Sequence, residues 1–130
     1  MKKLIRLLIV DDMPYVRQDL CTALSLVGAE TIEIVGEASS GREAIQQVTA
    51  LQPDVVLMDL EMPGMDGYTA TRAIKADFPN VKVVALTVHS YLSAQAKARQ
   101  AGVDGFIEKG TSIAEVFKTI LNIRSKGEIK

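Results

Sequence analysis

Five short runs of apolar, mostly β-branched residues punctuate the chain: Leu7 to Val10, Ile32 to Val35, Val55 to Met58, Val81 to Leu86, and Phe106 to Ile107. Longer stretches between and after them repeat apolar residues every three or four positions, the period of a helix with one buried face. The first carries Val16, Leu20, Leu24 and Val27, with Pro14 near its start and Gly28 at its end, the usual places for those two residues. The second opens on Ser40-Gly41-Arg42-Glu43, a capping-box pattern, and presents Ile45, Val48 and Leu51 before Pro53 stops it. A third helix is expected from about Gly67 to Asp77, with Ala70, Ile74 and Phe78 inward. The last follows a second capping box, Ser112-Ile113-Ala114-Glu115, and aligns Ile113, Val116, Phe117, Ile120 and Leu121. The fourth, Tyr91 to Ala101, is different: its two large apolar residues, Tyr91 and Leu92, stand at its start and alanine fills the rest. Alanine favours helix but buries little area, so this helix should be lightly anchored.

Strand and helix in alternation imply parallel strands joined by crossover helices, an α/β fold of (βα)5 form. Val55-Val56-Leu57-Met58 is apolar on both faces, as a central strand must be, whereas Ile32-Glu33-Ile34-Val35-Gly36-Glu37 and the short Phe106-Ile107 suit edges. The flavodoxin-like doubly wound order 2-1-3-4-5 satisfies all three, and its ligand crevice lies at the carboxyl ends of strands 1 and 3.

At 130 residues the chain fits one domain over 1–130, with a core from about 4 to 124 and residues 125–130 as a polar tail or trimmed linker. A hydrophobic content of 48% with 24% charged residues argues against disorder. The net charge of −1 gives no basic field to hold nucleic acid. Cys21 is the single cysteine, so an intrachain disulfide scaffold is excluded. The apolar start is broken by Arg6 and stops at Asp11-Asp12 with no cleavage site, and no stretch is long enough to span a membrane, so a cytoplasmic protein is expected.

The residues just past the strands carry the chemistry. The first strand ends in Asp11-Asp12, the third in Asp59, the fourth in Thr87 and the fifth in Glu108-Lys109, while the second contributes nothing. Three carboxylates, a hydroxyl and an ammonium should therefore meet in one cup. Two carboxylates about 5 Å apart repel by ~3 kcal/mol at an effective dielectric of about 20, so three need compensation. Oxygen ligands without Cys or His select a hard cation, Mg²⁺ above all or Mn²⁺. With its charge and that of Lys109 the three aspartates are balanced, and the cup is poised to take a phosphoryl group. Asp59, on the central strand, is the expected nucleophile. Asp12, with Asp11 partly through water, and the main-chain carbonyl of Glu61 would hold the metal beside it.

Val10-Asp11-Asp12, Met58-Asp59-Leu60-Glu61-Met62-Pro63-Gly64-Met65-Asp66-Gly67, Ala85-Leu86-Thr87 and Glu108-Lys109 together resemble the receiver domain of two-component response regulators, over Leu4 to about Arg124. The resemblance implies phosphotransfer from the phosphohistidine of a sensor histidine kinase or phosphotransfer protein to Asp59. It implies that Lys109 contacts the phosphoryl oxygens, that Thr87 swings in to bond one of them, and that Phe106 is the aromatic switch residue that turns inward with it. It implies too a signalling domain rather than a metabolic enzyme, a downstream protein target or attached output domain, and a homodimer formed on phosphorylation as a further partner. Lys109 is followed by Gly110 where many receivers have proline, which hints at the subgroup attached to helix-turn-helix outputs. Such an output needs roughly another 50 residues or more, so this stretch reads no DNA. Tyr15, Glu61 and His89 rim the pocket and are expected to tune the lifetime of the acyl phosphate, and the face of helix 4, strand 5 and helix 5 is expected to report phosphorylation.

Plainer readings stand beside these. Thr87 could cap the segment after it, Phe106 could serve packing alone, His89 could simply be exposed, and Cys21 reads as a small buried hydrophobe. Gly64 and Gly67 would permit the turns that place Asp59. A docking module with a silent acidic site shares the fold, as does a flavodoxin-like cofactor binder, although Asp11-Asp12 would repel the phosphate such a cofactor carries.

Overall fold

The computed structural model describes residues 3–89 and 92–128, with side chains through Ile123. Strand and helix alternate in the order β1 (Ile5–Val10), α1 (Pro14–Val27), β2 (Ile32–Ala38), α2 (Gly41–Leu51), β3 (Val55–Asp59), α3 (Gly67–Asp77), β4 (Lys82–Thr87), α4 (Leu92–Ala101), β5 (Gly105–Glu108) and α5 (Ile113–Glu128). The five strands form one parallel sheet in the order β2-β1-β3-β4-β5, as the sequence predicts.

Because successive side chains point to opposite faces of a strand, the same strands feed two cores. Ile5, Leu7, Ile9, Val55, Leu57, Val84 and Leu86 pack with Leu24 of α1 and Val116, Ile120 and Ile123 of α5. Leu8, Val10, Val56, Met58 and Val83 pack on the other side with Ala44 and Val48 of α2 and Ala70 and Ile74 of α3. Each large aliphatic side chain so buried is worth about 1.5–3 kcal/mol of transfer free energy. All five residues of β3 are buried, which is the property that marks it as central. The β2 edge is mixed in burial and its pairing with β1 shifts register between Leu7 and Leu8, so that Leu7 faces Ile34 and Leu8 faces Gly36. Val35 is the extra residue of this bulge.

Helix ends follow the capping chemistry with one shift. The Ser40 hydroxyl accepts from Glu43 N–H at 3.0 Å, but the Glu43 carboxylate reaches back to Ser39, at 2.6 Å from its N–H and 3.0 Å from its hydroxyl, rather than to Ser40. These bonds hold the Glu43 pKa below the usual carboxylate value. Ser112 caps α5 through Glu115 N–H at 3.3 Å, while the Glu115 carboxylate lies 3.8 Å from Lys118. Helix α5 runs on to Glu128, four residues into the stretch read as a polar tail, because a docked helix extends at the gain of one hydrogen bond per residue.

Helix α4 buries only small side chains, in keeping with its alanine-rich sequence. Leu92 is 81% exposed, and the helix is seated by Ala94, Ala98 and Ala101. Ala98 and Ala101 join Leu60, Tyr68 and Ala85 in a third, small cluster, with Phe106 half-buried beside it. Lys97 sits 4.3 Å above the Tyr68 ring, a cation–π contact between α4 and α3. Tyr91 lies outside the described residues.

Candidate functional site

The carboxyl ends of β1, β3, β4 and β5 deliver the expected residues to one place. Asp11 follows β1 and is fully buried, as are Asp59 at the end of β3 and Thr87 at the end of β4. Asp12 is half-buried, and one carboxylate oxygen from each of Asp11, Asp12 and Asp59 lies within 4.8 Å of the others. Lys109, one residue past β5, places its ammonium 3.1 Å from Asp11 Oδ2 and 3.1 Å from Asp59 Oδ1.

Main-chain donors aim the two buried carboxylates. Met13 N–H donates to Asp11 Oδ1 at 2.9 Å and Glu61 N–H to Asp59 Oδ1 at 3.1 Å, each from two residues downstream. The second oxygens, Asp11 Oδ2 and Asp59 Oδ2, accept no well-directed hydrogen bond. For Asp11 Oδ2 the nearby ammonium offers charge without a directed N–H. Buried carboxylate oxygens left in this way are costly unless a cation takes them. Burial, and then the Asp11 charge, push the Asp59 pKa up to about 7 against the opposing pull of Lys109. Burial alone would lower the pKa of Lys109, but the Asp11 and Asp59 carboxylates paired with it outweigh this and leave it raised.

Glycine makes the Asp59 position possible. A Cβ on Gly67, the first residue of α3, would lie 2.2 Å from the Asp59 carbonyl oxygen and 2.7 Å from Leu60 Cα, and Gly67 N–H donates to Leu60 carbonyl at 3.1 Å. Helix α3 therefore begins directly against the backbone that carries Asp59. Gly64, in the preceding turn, has a φ of +75°, a conformation that glycine adopts without strain.

The Thr87 hydroxyl is bonded to Glu61 rather than to Asp59. Its hydroxyl donates to Glu61 Oε2 at 2.6 Å and accepts from His89 N–H at 2.9 Å, and Val88 N–H lies 3.4 Å from Glu61 Oε1. Glu61 was expected to matter through its carbonyl and its place on the rim, and its carboxylate proves to be the partner of Thr87. The His89 side chain is exposed, and Tyr15, the second residue of α1, is 80% exposed. Phe106 is half-buried against the small cluster under α4, so it is neither a full core residue nor a free one.

Two residues near the cup went unmarked in the sequence. Arg17, in α1, donates from Nη1 to the Asp11 carbonyl at 2.8 Å and from Nε to Glu37 Oε1 at 3.0 Å. Glu37 belongs to β2, so the strand expected to contribute nothing holds the arginine that fixes the turn after β1. The signal lay in an i, i+6 spacing across a loop and in a pair 20 residues apart, neither of which a periodicity reveals. Cys21, one turn further along α1, has its thiol pushed up to about 11 by burial and by Glu37, so it is held protonated.

The chain matches the family model for the response regulator receiver domain over residues 7–121. It is 39% identical to the response regulator GacA of Pseudomonas viridiflava over 117 residues, which are 90% of this chain and 54% of that protein. The chain thus spans about half the length of such relatives. Among solved structures, the signal receiver domain named NarL from Mycobacterium tuberculosis superposes with a TM-score of 0.89 at 32% identity, covering 95% of this chain and 98% of that one. A DNA-binding response regulator of the LuxR family from Staphylococcus aureus superposes with a TM-score of 0.86 at 30% identity, covering 93% and 99%. In this family phosphorylation switching is the general function, and its members are signalling domains rather than metabolic enzymes. The match over most of its length, on the fold and the acidic cup just described, places this chain in the response regulator receiver domain family.

Proposed function

We propose that Asp59 is the phosphoacceptor of this receiver, taking a phosphoryl group from the phosphohistidine of a sensor histidine kinase or a phosphotransfer protein. An Asp59 carboxylate oxygen forms the new bond to phosphorus as the bond from phosphorus to the histidine nitrogen breaks and the imidazole leaves with that electron pair. The observation that carries this reading is the pair of buried oxygens, Asp11 Oδ2 and Asp59 Oδ2, left without a directed hydrogen bond beside the Lys109 ammonium.

Receiver domains usually bind Mg²⁺ at an acidic pocket, and the donor set here fits that ion. Asp11, Asp12 and Asp59 offer oxygen alone, and among the described residues theirs is the cluster whose ligand atoms converge, to which the Glu61 carbonyl would add a further oxygen. Bound Mg²⁺, or Mn²⁺ in its place, would supply positive charge against the phosphoryl oxygens. Asp59 must be ionised to attack, and a pKa near 7 means that the neighbouring cations decide how much of it is. Lys109 lies 3.1 Å from Asp59 Oδ1 and would meet a phosphoryl oxygen there. Thr87 would turn from Glu61 to another, with Phe106 following, and α4, seated by alanines, is the element placed to pass the change to the α4–β5–α5 face.

The unit is read as one receiver domain over residues 1–130, acting on a protein target or on an output domain, with dimerisation on phosphorylation. No helix among the described residues is long and apolar enough to cross a membrane, which is compatible with a cytoplasmic switch. Intact mass after treatment with a small acyl-phosphate donor and Mg²⁺ tests the assignment. One phosphoryl adduct is expected on the native chain and none on Asp59→Asn or on the native chain with the metal chelated. Adducts on both chains would name another nucleophile, and an adduct on neither would leave a docking module.

A further inference from the structure

The hydroxyl of Thr87 has one proton to give, and in this structure Glu61 has it. Thr87 Oγ1 donates to Glu61 Oε2 at 2.6 Å, a short bond to a carboxylate acceptor of the stronger class. The other Glu61 oxygen lies 3.4 Å from Val88 N–H, and His89 N–H donates back to Thr87 Oγ1 at 2.9 Å. Glu61 thereby gathers the end of β4 and the first two residues of the connection to α4. Its own N–H donates to Asp59 Oδ1 at 3.1 Å, so one residue spans the distance between the acidic cup and the β4–α4 connection.

We propose that the Glu61 carboxylate is a latch for the unphosphorylated state: it holds the Thr87 hydroxyl away from Asp59 and so sets how readily the switch turns. Glu61 is then a positioning residue acting through Thr87. This rests on Asp59 as the acceptor, since a phosphoryl oxygen on Asp59 is what competes with Glu61 for the same proton. Phosphorylation must break the Thr87–Glu61 bond before it gains the Thr87–phosphoryl bond, and the difference between the two fixes the population that switches. The latch is placed where release has consequences, because α4 beyond it is seated by Ala94, Ala98 and Ala101 with Leu92 exposed. Loss of a hydrogen bond to a charged acceptor should favour the switched form by about ten- to a hundredfold.

Removing Glu61 also removes a negative charge from the mouth of an anion site, and a double-mutant cycle separates the two effects. The quantity measured is the dissociation constant for beryllofluoride, a phosphoryl mimic, at saturating Mg²⁺, on the native chain, Glu61→Met, Glu61→Gln, Thr87→Ala and the two combinations. Glu61→Met is expected to tighten binding about tenfold or more while Thr87 is present and less than about twofold in Thr87→Ala, with Glu61→Gln between the native chain and Glu61→Met because its amide keeps a neutral acceptor. In the absence of mimic, the Val88 and His89 amide resonances of Glu61→Met should move toward their positions in mimic-bound native protein. Equal tightening in both backgrounds would overturn the latch by showing that Glu61 acts as charge alone, and no tightening in either would overturn it outright. Failure of the native chain to bind the mimic would overturn the acceptor assignment instead, so the two failures are distinct.

Discussion

On the β1–β3 side of the acidic cup, Asp11 and Asp59 project from strands in which every residue but Arg6 is buried, and each carboxylate is aimed by a main-chain N–H two residues on. On the β4–α4 side, Thr87 ends an equally well packed strand, but the helix after it is held by three alanines and turns Leu92 to solvent. The charges that would bind a metal and accept phosphorus are thus fixed, while the hydroxyl that would sense the product borders a weakly seated element. A site that had to move its nucleophile would lose binding energy to reorganisation. One that moves only its sensor keeps a preorganised acceptor and a rearrangement costing a few kcal/mol.

The largest expected effect attacks the fixed side. Gly67→Ala forces a Cβ to within 2.2 Å of the Asp59 carbonyl oxygen, where backbone meets backbone and nothing flexible can yield. Urea denaturation should show a loss of more than about 3 kcal/mol, well beyond the ordinary cost of overpacking.

Asp59→Asn should act in the opposite direction on the metal-free protein. The native Asp59 pKa of about 7 is raised from 3.8, so the group binds its proton more tightly folded than unfolded. Its contribution to stability is therefore full below about pH 4 and is lost as pH rises toward 7. Stability of the metal-free native chain should fall across that window by about 2–4 kcal/mol relative to Asp59→Asn, read from melting curves at pH 5 and pH 8. Parallel curves would show that burial carries no electrostatic penalty at Asp59.

The contrast between the two sides is sharpened by a pair of helix truncations. Ile120→Ala in α5 empties a fully buried position and should cost about 2–5 kcal/mol, whereas Ala98→Gly in α4 should cost about 1 kcal/mol and show mainly as faster amide exchange in α4. Comparable exchange protection in α4 and α5 of the native chain would contradict the comparison. The smallest effect is expected from Arg17→Met, which leaves the Asp11 carbonyl without its donor. Mg²⁺ affinity should weaken by about three- to tenfold by calorimetry, with the amide fingerprint of the core preserved.

Strand order, helix faces and most of the cup were legible because each depends on local pattern. An all-apolar run announced β3, Ser40 and Ser112 announced helix starts, and the polar residues at the strand ends brought Asp11, Asp59, Thr87 and Lys109 together. The contacts that escaped depend on side-chain reach between distant segments. A separation of 26 positions between Glu61 and Thr87, like that of 20 between Arg17 and Glu37, carries no periodic trace. The end of α2 is a similar case: Gln52 takes a left-handed conformation with a φ of 46°, and the Arg6 guanidinium donates to the carbonyls of Leu51 and Gln52 at 2.8 and 2.9 Å.

The proposed function turns on a divalent cation that would take the Asp59 Oδ2 oxygen, which accepts no hydrogen bond, beside the Asp11–Lys109 ion pair. Magnesium titration followed by amide resonances, at pH 6 and pH 8, tests it most directly. Saturable shifts at Asp12, Asp59 and Glu61 are expected, with tighter binding at pH 8 because the ion must displace the proton that Asp59 carries at pH 6. Resonances around the cup that stay in place at both pH values would contradict the account.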